Sequence, residues 1–316
     1  MNTVKVGEAP GKVILIGEHA VVYGHPAIAI PLRSVRSRAE VAVTRGPGIE
    51  LDAPDIGERV RPGEQPTRRL APLVRLAESV LDLFGERDVG LRIVLRSTVP
   101  IGRGMGSSAS VSVALVRGIC NALDRRLNAD QISELANEAE KGFHGNPSGI
   151  DVTVIAHDAP VYFVRGKGSR SISVGPSRFH FVVADSGVAA PTSEVVAAVQ
   201  EARDKDPARY DSYFWEIGSL ASVSREILRT GSPPEMGLCM NRAHIALQQV
   251  GVSSPELDRL VVAALRHGAL GAKLSGAGRG GAVIALLRDA ADEEGITAEL
   301  VKAGAQAIYT TALSSN

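Results

Sequence analysis

The sequence predicts an α+β protein of two domains, residues 1–172 and 173–316. Three observations carry this. Strand-like and helix-like stretches come in runs and do not alternate as regular βαβ units, which favours α+β domains over a doubly wound parallel sheet. The chain has 316 residues, of which 44% are apolar, enough to build more than one core. No fixed-period repeat points instead to a solenoid or propeller.

Taken in order, Val4 to Pro10 leads into KVILIG and AVVYGHPAIAI. Their β-branched clusters, broken by Gly and Pro, predict short strands and turns. Ser37 to Val43 alternates as a further strand. Arg45 to Pro72 is rich in Gly, Pro and charge and reads as a peripheral surface insertion with a short strand at IEL. Leu73 to Leu83 has helical spacing and Val89 to Leu95 strand alternation. A glycine stretch follows, then a helix over VSVALVRGICNAL. The next helix runs from Asp130 to Glu140, with Asp130 as its N-cap. HGNPSG comes next, and DVTVIA and APVYFV read as strands. In the second half FHFVVAD is a buried strand, three helices fall between Ser193 and His267, and GAKLSGAGRGGAVIALL is a strand, a glycine turn and a strand.

Lys plus Arg and Asp plus Glu balance at 35 each, so no global field draws nucleic acid or an anionic membrane, and small-molecule partners are expected. Cys120 and Cys239 lie far apart without zinc-ligand or disulfide spacing, which fits a reducing compartment. The apolar run Val13 to Ile16 is too short for a signal-peptide core. No stretch approaches the roughly 18 apolar residues of a membrane span. A soluble cytoplasmic protein is expected.

GRGMGSSAS, Gly102 to Ser110, packs three glycines and three serines between a strand and a helix. A helix start exposes unpaired N–H groups and the positive end of its dipole, a ready site for phosphate. Gly102, Gly104 and Gly106 let the backbone approach such a ligand, and Ser107 and Ser108 place hydroxyls at its mouth. A plain glycine turn capped by serine accounts for the same residues. The pattern is not a Walker loop, since GxxxxGK[ST] is absent. Gly276, Gly278 and Gly281 satisfy GxGxxG, but AVIALL after them reads as strand, so the dinucleotide fold is rejected.

Three segments in order, APGKVILIGEHAVVYGHPAIA (Ala9 to Ala29), PIGRGMGSSASVSVAL (Pro100 to Leu115) and KLSGAGRGGAVIAL (Lys273 to Leu286), resemble the three motifs of the GHMP small-molecule kinases. Within that family, GEHAVVYG, EKGFHGNPSGID (Glu140 to Asp151) and MNRAHIALQQVGVSSPELD (Met240 to Asp258) are similar to the mevalonate kinase branch. The resemblance implies an amino-terminal domain like ribosomal protein S5 domain 2, a ferredoxin-like carboxy-terminal domain and, as in many relatives, a possible homodimer.

It also implies ATP and Mg²⁺ as cofactors and an alcohol, mevalonate, as acceptor. Phosphoryl transfer needs a phosphate cradle, a cation and a group that orients or deprotonates the hydroxyl. The cradle is implied for Gly102, Arg103, Gly104, Met105, Gly106, Ser107, Ser108 and Ala109. Ser107 and Glu140 match the metal positions, and their oxygens suit a hard cation. Asp151 matches the base and Lys12 the cation beside it, offsetting charge on the developing alkoxide. Glu18, His19 and Thr192 match the acceptor side, and His144 and Asn146 brace the loop that presents Asp151. Arg279 stands where the family usually has glycine. It either points outward or reaches a phosphate. The rivals are a phosphomevalonate kinase and an ATP-dependent diphosphomevalonate decarboxylase of the same family.

Overall fold

The computed structural model describes residues 3–144 and 147–315. These form two compact units that are not contiguous in sequence. One takes the chain up to Gly11, Val35–Ile101 and Gly106–Asp158; the other takes Lys12–Ser34, Gly102–Met105 and the chain from Ala159.

The first unit contains the start of β1 (Lys5–Ile16), the end of β2 (Pro26–Arg45), β3 (Gly48–Ala53), β4 (Glu58–Val60), α1 (Ala71–Phe84), β5 (Val89–Ser97), α2 (Ser107–Ala122), α3 (Ala129–His144) and α4 (Ile150–His157). β2 and β5 pair antiparallel from Ser37↔Ser97 to Arg45↔Val89, β3 lies parallel to β5, and β4 closes the edge against β3. The Arg45 to Pro72 segment is therefore partly woven into the sheet and is not a peripheral insertion. The short strand expected at IEL is its β3, whose alternating IELDA buries Ile49, Leu51 and Ala53.

Helix α2 is built from small residues because β1 runs against its backbone. A Cβ on Gly7 would sit 2.1 Å from the Gly118 nitrogen. Its side chains also hold β1 carbonyls: Ser110 Oγ donates to Ala9 O at 3.0 Å, Arg117 Nη1 to Glu8 O at 2.7 Å and Asn121 Nδ2 to Val6 O at 2.7 Å. Helix α2 is thereby pinned to β1 along its length.

Helix α3 begins one residue before Asp130. Asn128 and Gln131 exchange side-chain-to-backbone bonds at 2.9 and 3.0 Å, a capping box that displaces Asp130 from the cap. DVTVIA is helix α4, not strand. A short, mostly apolar run fits a buried helix as well as a strand, and here Gly149, at φ 82°, starts the turn while Thr153 Oγ1 donates back to Gly149 O at 2.8 Å.

In the second unit the first half of β2 pairs antiparallel with β6 (Val161–Val164), and β6 with β7 (Gly168–Ser171). A four-stranded antiparallel sheet follows, ordered β11-β8-β10-β9, from β8 (Phe179–Asp185), β9 (Gly271–Ser275), β10 (Ala282–Leu286) and β11 (Ala307–Leu313). All residues of β9 and β10 are buried. Of the helices α5 (Thr192–Lys205), α6 (Pro207–Thr230), α7 (Pro233–Val250), α8 (Pro255–Arg266) and α9 (Glu293–Lys302), α7 and α8 pack on β9, α8 also on β10, and α9 on β8 and β11. Phe214, Leu247, Leu260, Leu274, Val283 and Leu300 share one core.

Four helices, not three, lie between Ser193 and His267. The starts of α6, α7 and α8 each carry proline in the first turn, where the missing N–H costs nothing; Asp206 and Ser254 cap α6 and α8 through bonds from Arg209 N and Leu257 N. The short strands expected near the amino terminus are two long continuous ones, β1 and β2, since Pro10 and Pro31 do not interrupt them.

Candidate active site

The sequence-predicted residues divide between the units. Gly106, Ser107, Ser108, Ala109, Glu140 and Asp151 belong to the first; Lys12, Glu18, His19, Gly102 to Met105 and Thr192 belong to the second.

Gly102, Gly104 and Gly106 have φ of 72°, 72° and 75°, a left-handed conformation that glycine adopts without strain. A Cβ on Gly102 or Gly104 would meet nothing within 4 Å, so these glycines serve the backbone and leave the space beside the loop open. Gly106 is the N-cap of α2. Having no side chain, it leaves the first-turn N–H groups for a ligand.

The serines have other tasks. Ser110 holds β1, and Ser108 Oγ donates to Glu140 Oε2 at 3.1 Å while lying 3.2 Å from His144 Nε2. His144 Nε2 is 3.7 Å from the same carboxylate oxygen, and Glu140 is buried on α3. The serine brought to Glu140 is thus Ser108. Consecutive helix residues are turned by about 100° from each other, so Ser107 and Ser108 face different neighbours. Among the described residues no group of three or more His, Cys, Asp or Glu side chains is placed to hold a metal ion. Asn146 lies outside the described residues.

Asp151 occupies the first turn of α4 and is half-buried, whereas the other residues from Ile150 to Ala156 are buried. Ser133 Oγ and Thr153 Oγ1, 3.1 Å apart, fasten α4 to α3.

In the second unit Lys12 is buried, and its N–H donates to Met105 O at 3.0 Å. Arg103 pairs with Asp185 at the end of β8, Nε to Oδ2 3.2 Å. Glu18 forms a buried ion pair with Lys273 of β9, and His19 Nε2 donates to Ala277 O at 2.8 Å. Burial pushes the Glu18 carboxyl up against the pull of Lys273, and pushes the Lys273 ammonium down. Thr192 opens α5 at an exposed position. Arg279 adopts φ 55°, is exposed, and its N–H donates to Val252 O at 2.7 Å. Its side chain points outward.

Sequence reasoning missed Asp185 and Lys273. Both carried a signal: each is the one Asp, Glu, Lys or Arg in a largely apolar strand, where a charge needs a partner.

A family model for the GHMP kinases N terminal domain matches residues 72–158, and one for the GHMP kinases C terminal domain matches residues 224–306. Mevalonate kinase of Aeropyrum pernix is 34% identical over 308 residues, spanning 95% of this chain and 93% of the relative. The chain belongs to the GHMP kinases. Mevalonate kinase of Pyrococcus furiosus is 31% identical over 299 residues, spanning 89% of this chain and 88% of its own. The crystal structure of L. major mevalonate kinase in complex with R-mevalonate matches with a TM-score of 0.83 at 28% identity, over 100% of this chain and 97% of that one.

This GHMP kinase is an ATP-dependent small-molecule kinase with the α+β fold of that family. No helix among its described residues is long and apolar enough to cross a membrane.

Two of its histidines predict a pH dependence. Burial lowers the pKa of His19, helped by the charge of Arg279, and burial lowers that of His244, helped by Lys273 and opposed by Asp258. A depressed histidine stabilises the fold fully above its unfolded value, 6.5. That contribution is lost as pH falls through the folded value, by up to about 1.4 kcal/mol per pH unit for each group. Urea unfolding of this kinase should therefore weaken from pH ~6.5 toward pH ~5. His19→Gln and His244→Gln should each flatten that slope; slopes equal to the parent's would remove the histidines as its cause.

Proposed function

We propose that this GHMP kinase transfers the γ-phosphoryl group of ATP to the C5 hydroxyl of mevalonate, giving ADP and 5-phosphomevalonate for isoprenoid precursor synthesis. The observation that carries the reading is 31–34% identity to mevalonate kinases along 89% or more of the chain. The two cysteines, both buried and unpaired, fit a cytoplasmic setting.

Each chemical task has a residue. The N–H groups from Gly102 to Ala109 cradle the β- and γ-phosphates at the α2 start. Asp151 accepts a hydrogen bond from the acceptor hydroxyl, or its proton, and Lys12 offsets charge on the oxygen that attacks phosphorus. Glu18, His19 and Thr192 face the acceptor. Glu140 with a seryl hydroxyl, Ser107 or Ser108, fits Mg²⁺: both donors are hard oxygens, and one carboxylate suits an ion that keeps waters and phosphate oxygens. When bound, the ion neutralises charge on the transferring phosphate.

An ADP-release assay with Mg²⁺ and ATP, offering mevalonate, 5-phosphomevalonate, 5-diphosphomevalonate, galactose and homoserine in turn, tests the reading. Turnover with mevalonate alone is expected. Turnover with a phosphorylated acceptor instead would transfer the assignment to the phosphomevalonate kinase or decarboxylase branch.

A further inference from the structure

The Glu18–His19 turn is more constrained than a surface loop needs to be. His19 sits at φ 59° and ψ −48°, and the Ala20 N–H donates to the Glu18 carbonyl at 2.6 Å. This is the three-residue turn of positive φ, which is rare and strained. Such strain persists only where the surroundings over-determine it. Here β9 and the glycine turn after it do so. Lys273 Nζ donates to Glu18 Oε1 and to Leu274 O. His19 Nε2 donates to Ala277 O. Ser275 Oγ accepts from Ile14 N at 3.1 Å and donates to Ile14 O at 2.9 Å, fixing the strand that feeds the turn.

Stability alone does not account for the ion pair. The Lys273 and Glu18 side chains are 0% and 1% exposed, and an isolated buried pair is commonly no more stabilising than apolar side chains of the same volume. The pair is also incompletely satisfied: Glu18 Oε2 is buried without a hydrogen-bond partner among the described residues, although the N–H groups of Glu18 and Gly276 face the carboxylate. A buried carboxylate oxygen of this kind calls for a donor.

We propose that Lys273 is a positioning residue for phosphoryl transfer: by holding Glu18 Oε1 it fixes the strained Glu18–His19 turn, so that Glu18 Oε2 accepts a hydrogen bond from a hydroxyl of the bound alcohol. This rests on the reading of Glu18 and His19 as acceptor-side residues. The titratable and charged groups around the pair are His244 of α7, whose Nε2 lies 3.2 Å from Asp258 Oδ1 of α8 without hydrogen-bonding alignment, and His19 with Arg279 on the turn.

The test compares Lys273→Met, Lys273→Arg and the apolar pair Glu18→Leu with Lys273→Met in the full-length enzyme. Steady-state kinetics and amide hydrogen exchange over residues 17–24 are the readouts. Lys273→Met should lower kcat/KM for mevalonate by about 10²-fold, the scale of a displaced binding group, with KM for ATP little changed and exchange at Ala20 accelerated. Lys273→Arg should recover part of the loss. The apolar pair should melt at or above the parent temperature yet stay as impaired as Lys273→Met, which separates positioning from folding. In Lys273→Met the pH profile of kcat/KM should gain a limb that rises with pH, absent from the apolar pair. Parent-like kinetics and exchange in Lys273→Met would overturn the proposal. A parent enzyme that phosphorylates another acceptor would overturn the mevalonate reading, and the Lys273 variants are then scored on that acceptor and on the same exchange.

Discussion

Asp151→Asn should fold as the parent does and lose roughly 10² to 10⁴ in kcat, the range that general-base work contributes. The substitution keeps size and shape at a half-buried first-turn position of α4, so stability should move by no more than about 0.5 kcal/mol. Asp151 is the one carboxylate of α4 and stands half-buried beside the buried run Val152 to Ala156. Asparagine can still accept a hydrogen bond from the acceptor hydroxyl but cannot take its proton. The size of the loss therefore reports the character of the step. With a loose transition state, orientation matters more than proton abstraction and the loss falls near 10²; with proton transfer well advanced it approaches 10⁴. ADP release at saturating ATP and mevalonate measures it, with a urea melt to certify the fold. Parent-like turnover would remove Asp151 from the chemistry.

The legible parts of this molecule were those where one local rule had no competitor. The glycine turn between β9 and β10 was readable because apolar runs flank it and its glycines are required: a Cβ on Gly278 would lie 2.1 Å from Val252 O. The same reading rejected the dinucleotide fingerprint, since β10 and not a helix follows Gly281. Helix α4 was misread because its apolar run has no period that separates strand from buried helix. What the local sequence does not carry is which charges pair, because the partners lie far along the chain. Nothing near Glu18 announces Lys273, 255 residues away, and nothing near Arg103 announces Asp185. Arg279 shows the opposite case. Its positive φ was foreseeable as a strain, but its outward course depends on the anchoring of its N–H to Val252 O.

The choice between Ser107 and Ser108 leads to the second large expected effect. Glu140→Gln should raise the Mg²⁺ concentration needed for half-maximal activity by roughly 10- to 100-fold, the cost typical of losing a group that ligates or orients at a metal site. The introduced glutamine fills the same buried space as the parent carboxylate without its charge, and its amide oxygen can still accept from Ser108 Oγ, so the loss should appear in metal dependence and not in melting temperature. Ser108→Ala should shift the Mg²⁺ curve in the same direction by a smaller factor, because it removes the hydroxyl that contacts Glu140 Oε2 at 3.1 Å. Ser107→Ala should shift it less again if the contact seen here persists with nucleotide bound. The reverse order would mean that the start of α2 turns when phosphates arrive, bringing Ser107 to the metal as the family resemblance implies and leaving Ser108 to brace Glu140 and His144. A Mg²⁺ curve unmoved by Glu140→Gln would detach α3 from the metal altogether. The cation would then be held by phosphate oxygens, water and side chains other than Glu140.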